Sequence, residues 1–245
     1  MAAAARVTPP NDSKKKSAAA PSSGPGAFYA LVGALVVLGA GVLIYLARRP
    51  KDLSIPAKVT VMAADTAGFR GYLLGSESAP VEITEYADYQ CPACQSFEML
   101  QFDVVKRQLI DSGLVRWRYR DFPLDGMHRH ARLAAHAAAC GDEQGKYWPM
   151  HRIIYENQPA WERAASAGSL LADYAKQAGL DPGRYDACMK STKYAGRLEA
   201  SLQEGIKVGV NSTPTFLIGG RLYPGVKSSD SLAAIAKRLA AQPAK

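Results

Sequence analysis

The stretch that most constrains this chain is Cys91-Pro92-Ala93-Cys94, which follows a β-rich run from Val81 to Tyr86 and leads at once into a helix-like segment. That order places two thiols at a strand-to-helix junction. A cysteine at a helix N-terminus faces unpaired backbone N–H groups and the positive end of the helix dipole, and both favour thiolate over thiol. Cys91 is therefore the expected nucleophile. Pro92 suits the first helical turn, where its missing N–H costs nothing and its φ is already helical. Cys94 returns to the same helix face within reach of Cys91, so the pair can close and open a small disulfide ring. Half of a zinc site and an inert structural disulfide are the competing readings. A zinc knuckle would bring a second CxxC or a Cys/His pair close in sequence. The remaining cysteines, Cys140 and Cys188, are isolated and distant, which favours redox chemistry, and no metal site is expected. The residues His128, His130, His136 and His151 form no metal-binding spacing with them and read as surface or packing histidines.

The next strongest signal is an apolar run without charge at residues 27–47, about as long as the roughly 20 residues that span a bilayer. Tyr29 and Tyr45 lie near its ends, as interfacial aromatics do. Arg48-Arg49-Pro50 follows where a cleavable leader would carry small residues, so an uncleaved anchor is expected. The net charge of +8 is partly concentrated in Lys14, Lys15 and Lys16 and in Arg48, Arg49 and Lys51, which flank the run. Such flanking clusters mark membrane boundaries, and no nucleic-acid site is read from them. Residues 1–26 read as a flexible cytoplasmic tail and residues 48–80 as a tether with a first edge strand. The tether holds two short β-like pieces, Val59-Thr60-Val61-Met62 and Tyr72-Leu73-Leu74. Positive-inside counting barely discriminates the two sides, but disulfide chemistry belongs outside the reducing cytosol. The catalytic domain is accordingly expected on the extracytoplasmic side of the cell membrane.

Residues 81–245 then read as one α/β domain. Val81 to Tyr86 is a strand. Phe97, Leu100, Val104, Val105 and Leu109 recur at helical spacing, and Val115 to Tyr119 alternates as a second strand. This is a βαβ unit. A helical insertion at about residues 126–208 follows, with segments at Ala131 to Ala139, Tyr147 to Tyr155, Leu170 to Ala178 and Tyr185 to Val208. Strand character returns at Thr215 to Ile218, Gly219-Gly220 suits a hairpin turn, Arg221 to Tyr223 returns, and Ser228 to Leu239 closes as an amphipathic helix.

A strand entering Cys-Pro-x-Cys, a helical insertion, and Asn211-Ser212-Thr213-Pro214-Thr215-Phe216 before a C-terminal hairpin resemble the thioredoxin-fold oxidoreductases of the disulfide bond protein A (DsbA) family, in its membrane-anchored bacterial type. Arg120-Asp121-Phe122-Pro123-Leu124 and Glu143-Gln144-Gly145-Lys146-Tyr147-Trp148 are similar to stretches of that domain. The resemblance covers roughly Gly71 to the C-terminus. It implies a thioredoxin fold, βαβ plus ββα, with an inserted helical subdomain. It implies that Pro214 is a cis-proline facing the CxxC pair and that the Thr213 backbone pairs with an extended substrate chain. It implies that Glu85 is a buried acid beneath the site, able to relay the proton of Cys94; a solvent-facing strand residue is the other reading. It implies that Cys140 and Cys188 form a structural disulfide, two buried free thiols being the alternative.

One departure is Ala93. Strong oxidants of the family carry histidine there, and its loss is expected to raise the Cys91 pKa and make the pair less oxidising by about 30 mV per pKa unit. The expected activity is thiol–disulfide exchange that introduces disulfides into exported proteins at Cys91 and Cys94, with no cofactor beyond that redox-active pair. The implied partners are exported protein thiols and a membrane enzyme that reoxidises the pair. The alternatives are a reductase or isomerase of the same fold, or a peptide-binding module without turnover.

Overall fold

The structure is a computed structural model in which residues 25–48 and 53–242 are described. The expected tail up to residue 24 and the basic residues Arg49 and Lys51 lie outside the described residues. The chain divides into two units, Met1–Lys51 and Asp52–Lys245. In the first, Pro25–Arg48 is a single helix opened by proline, and its window Phe28–Tyr45 has a mean hydropathy of 2.3 with none of it buried. That helix is long and apolar enough to cross a membrane.

The second unit is built on a five-stranded sheet of order β1-β3-β2-β4-β5, from β1 (Tyr72–Leu74), β2 (Val81–Ala87), β3 (Val115–Asp121), β4 (Thr215–Ile218) and β5 (Arg221–Pro224). β2 and β3 run parallel, as a βαβ crossover requires, and the other neighbours are antiparallel. The β4–β5 hairpin turns on Gly219 and Gly220, both at positive φ (55° and 77°), a backbone pair that two-residue hairpins need and glycine supplies without strain. One face of the sheet packs Ile83, Trp117 and Phe216 against Phe97, Phe102, Val105 and Leu232, which belong to the helix over residues 92–110 and to the closing helix Ser229–Ala240. The insertion is a layer of helices including Ala131–Asp142, Tyr147–Glu156, Gly168–Gln177, Pro182–Ser191 and Ala195–Lys207. Cys140 and Cys188 join two of them through a disulfide, S–S 2.04 Å.

Three expectations are corrected. The segment read as a tether packs on the domain from Leu53 onward: Ile55 is buried, and Leu53, Val59 and Phe69 lie against the helical core. The Lys58 N–H also donates to Glu199 Oε2 at 3.2 Å. These apolar side chains have no periodicity, so only the tertiary structure shows what they cover. Val59 to Met62 is not a strand; the edge of β3 on that side is taken by Tyr72–Leu74. The helix after the cysteines buries Phe97, Val105 and Leu109 as expected but not Leu100, because Glu98–Phe102 and Lys106–Ile110 are π-helical. A π turn advances the ladder by five residues instead of four. Phe97 is therefore followed on the buried side by Phe102, while Leu100 is 68% exposed.

Candidate active site

Cys91 is the N-cap residue of the helix that Pro92 opens, with extended φ and ψ of −74° and 121°. Its sulfur is nearly covered, at 7% residue exposure, and Cys94 is fully buried. Both are free thiols. The Cys91 thiol lies 3.4 Å from the carbonyl oxygen of Thr213, which precedes Pro214 in a cis peptide bond. The two segments are far apart in sequence, and the β2–β4 pairing brings them together. Gln158 holds the loop before the helix by donating from Nε2 to the carbonyls of Tyr89 (2.6 Å) and Cys91 (3.1 Å).

The two thiols have opposite acidities. The Cys91 pKa falls to about 6. The chief cause is the hydrogen bond from the Cys94 thiol; burial opposes it, and the contact with Thr213 and the backbone N–H groups of Cys94 and Ala93 add to it. These N–H groups belong to the first helical turn, where they have no carbonyl partner within the helix. Cys94 is pushed well up, first by burial and then by Cys91 and by Glu85. At neutral pH the pair therefore presents one thiolate, Cys91, and one thiol, Cys94.

Glu85 sits in the middle of β2, in register with Tyr119 on one side and Phe216 on the other. It shares a sheet face with Ile83, two residues back. It is completely buried, and neither carboxyl oxygen has a hydrogen-bond partner. Burial raises its pKa well above the carboxylate range, the nearby Glu98 raises it further, and the Trp117 indole opposes both. Glu98 was not singled out in the sequence. It lies four residues after Cys94 on the same helix, a spacing that stacks side chains on one face, but an acidic side chain is seldom expected to be buried. Glu98 is buried, and its Oε1 lies 3.2 Å from His151 Nε2. The other ring nitrogen of His151, Nδ1, is 2.7 Å from the Tyr89 hydroxyl, itself 3.0 Å from that of Tyr147. Around Cys94 and Glu85 the fold thus packs two carboxyls, an imidazole and phenols with little solvent access.

Asp88 and His128 form a second polar cluster. The buried Asp88 carboxylate accepts from the N–H groups of Gln90 and Leu124, each at 2.7 Å, and lies 2.8 Å from His128 Nδ1. His136 approaches Cys140 and Cys188 with its ligand-type atoms within 4.8 Å. Both sulfurs there are bonded to each other, which leaves the imidazole as the lone donor of that group.

Comparison with known proteins follows the same division of the chain. A model of the thioredoxin family matches residues 70–238. Disulfide bond formation protein D of Bacillus subtilis is 26% identical over 163 residues, covering 65% of this chain and 72% of its own. The crystal structure of oxidised BdbD from Bacillus subtilis aligns with a TM-score of 0.62 at 25% identity, over 69% of this chain and 91% of that one. Wolbachia pipientis α-DsbA1 aligns with a TM-score of 0.63 over 70% and 91% at 22% identity, a likeness of fold. The Na(+)/H(+) antiporter NhaA 3 of Salinispora tropica is 33% identical over 165 residues, 67% of this chain. The match spans about a quarter (24%) of that antiporter's length. The family model covers the whole of the sheet and insertion. The chain belongs to the thioredoxin family, in its DsbA-like branch.

Proposed function

We propose that this chain is a thiol–disulfide oxidoreductase that oxidises cysteine pairs in exported proteins. The observation that carries the proposal is the asymmetry of the pair: an acidic Cys91 at a helix N-terminus beside the Thr213 carbonyl, over a buried, weakly acidic Cys94. A low-pKa cysteine is the better leaving group and a stable thiolate, which makes the dithiol form favourable and the disulfide form oxidising. In the oxidised enzyme a substrate thiolate attacks Cys91 Sγ, the Cys91–Cys94 bond breaks, and Cys94 leaves and takes up a proton. The second substrate thiolate then attacks the substrate sulfur of the mixed disulfide and expels the Cys91 thiolate. The substrate has lost two electrons and gained a disulfide, and the enzyme holds the thiolate–thiol pair. Glu85 is the group beneath Cys94 proposed to hold the transferred proton, and the Thr213–Pro214 segment is proposed to align the substrate backbone. A membrane-bound enzyme that accepts two electrons would regenerate the disulfide.

The helix Pro25–Arg48 is proposed to anchor the chain in the membrane with the domain from residue 52 outside the cytoplasm. One relative supports the disulfide chemistry by its name, disulfide bond formation protein D. Direction is tested by the reduction potential of the Cys91/Cys94 couple. A value near or above about −180 mV is expected for an oxidase, and one near about −270 mV would make the chain a reductase. The order of attack is tested by a Cys94→Ser variant, which is expected to accumulate mixed disulfides with client proteins through Cys91. Failure to trap any, while the unmodified chain stays redox-active, would remove Cys94 from the resolving role.

A further inference from the structure

We infer that His128 is a positioning residue for the reaction: held by Asp88, it keeps a cationic imidazole against the turn that carries Cys91 and stabilises the Cys91 thiolate. This rests on the reading of Cys91 as the nucleophile and adds a residue from a different part of the chain. The geometry begins with the turn from Asp88 to Cys91, closed by the Cys91 N–H donating to the Asp88 carbonyl at 3.0 Å. The Asp88 side chain then reaches across to the loop that follows β3. It accepts from the Leu124 N–H and contacts His128. A second tie joins the same two segments, from the His130 N–H to Gln90 Oε1 at 2.8 Å. The loop carrying His128 is thus clamped to the turn carrying Cys91 at both ends of that turn.

Charge then follows from position. The Asp88 side chain is fully buried, whereas His128 keeps 15% exposure on the outer side of the contact. The groups facing His128 are Asp88, Cys91 and Glu162, all of which favour the imidazolium; burial opposes it. Arg129, Arg132 and Asp125 line the same 220 Å³ pocket as His128, but Arg132 is paired with Asp125 and Glu199. The Asp88 side chain is held by three partners, the N–H groups of Gln90 and Leu124 and the His128 imidazole, which fixes the ring beside the turn. A cation near a thiolate favours it over the thiol. The effect is reciprocal: if His128 stabilises the Cys91 thiolate, the thiolate must hold the proton on His128 by the same factor.

The test measures both sides of that linkage on the full chain. Alkylation of Cys91 by iodoacetamide as a function of pH is expected to have its midpoint near 6 in the unmodified chain. In His128→Gln the midpoint is expected to move up, slowing alkylation at pH 6 by about three- to tenfold, since one unit of pKa is tenfold in thiolate. The His128 imidazole, followed by NMR, is expected to titrate at lower pH when Cys91 and Cys94 are joined as a disulfide than when they are reduced, because the disulfide removes the thiolate charge. A purely structural histidine would not respond to the redox state of the pair. Equal alkylation profiles in the two proteins, or an imidazole titration that is the same in both redox states, would overturn the role of His128 and leave the nucleophile intact. An ordinary thiol midpoint near 8.5 in the unmodified chain would overturn both. Should His128→Gln fail to fold, the redox-state comparison in the unmodified chain decides alone.

Discussion

Replacing Cys140 and Cys188 together by alanine is expected to lower the stability of the domain by about 4 kcal/mol. The bond closes a loop with a sequence separation of 48, and the chain-entropy model gives about that figure for loops of this length. The two helices it joins, Ala131–Asp142 and Pro182–Ser191, belong to the insertion and meet through buried side chains, with Cys140 at 0% and Cys188 at 3% exposure. Alanine at both places suits the helices, and the space left by two buried sulfurs adds a cavity cost in the same direction. Against a usual domain stability of about 5–15 kcal/mol, a change of this size moves the unfolding midpoint far down. Urea unfolding of the domain checks it. A loss under about 1 kcal/mol would mean that packing alone holds the insertion and that the unfolded chain is already constrained by other means.

Much of the architecture was legible because it rests on local patterns. Cys91 and Pro92 can be placed at a helix start from neighbouring residues alone, and the hairpin follows from Gly219-Gly220 between two apolar runs. Thr213 is different: its place beside Cys91 is a product of strand pairing, and only resemblance to a family put it there. Glu98 and His151 were illegible for a physical reason. An acidic side chain is seldom buried without a partner, and the partner here, His151, lies on a helix of the insertion far away in sequence. Asp88 and His128 are likewise joined only by the docking of one loop on another. The segment beginning at Leu53 shows the same limit, since scattered apolar side chains in a Pro- and Ala-containing stretch look like a linker until the surface that they cover is known.

Replacing Glu98 by glutamine is expected to stabilise the domain by about 3 kcal/mol at pH 7 and by almost nothing below pH 4. Burial lifts the Glu98 pKa from 4.5 to about 8, Asp103 adds to the rise, and Arg152 opposes it. The adjacent His151 is driven the other way, to about 3, by burial and then by Arg152, so the pair holds its proton on the carboxyl. A folded-state pKa above the unfolded one gives stability that is fully present below pH 4.5 and is lost as the pH rises towards 8. Keeping Glu98 protonated at pH 7 against an unfolded value of 4.5 costs about 1.4 kcal/mol per unit, hence about 3 kcal/mol. Glutamine mimics the protonated side chain and has no such dependence. The difference between the two proteins, from urea midpoints measured between pH 4 and 9, should therefore rise with pH and level off above about 8. A difference that stays flat would mean that the carboxyl is ionised in the fold, paired with a protonated His151. Glu85 and Asp121 shift in the same direction as Glu98, so each contributes stability at pH 5 that is lost towards pH 8, and the buried His136 and His151, held below the usual imidazole range, act in the opposite sense. Glu85, whose charge reaches Cys94, and Glu98 are both groups that hold a proton at neutral pH. Glu98→Gln should consequently lower the Glu85 pKa, and the rate at which Cys94 is released from the disulfide should change although Cys91 is untouched.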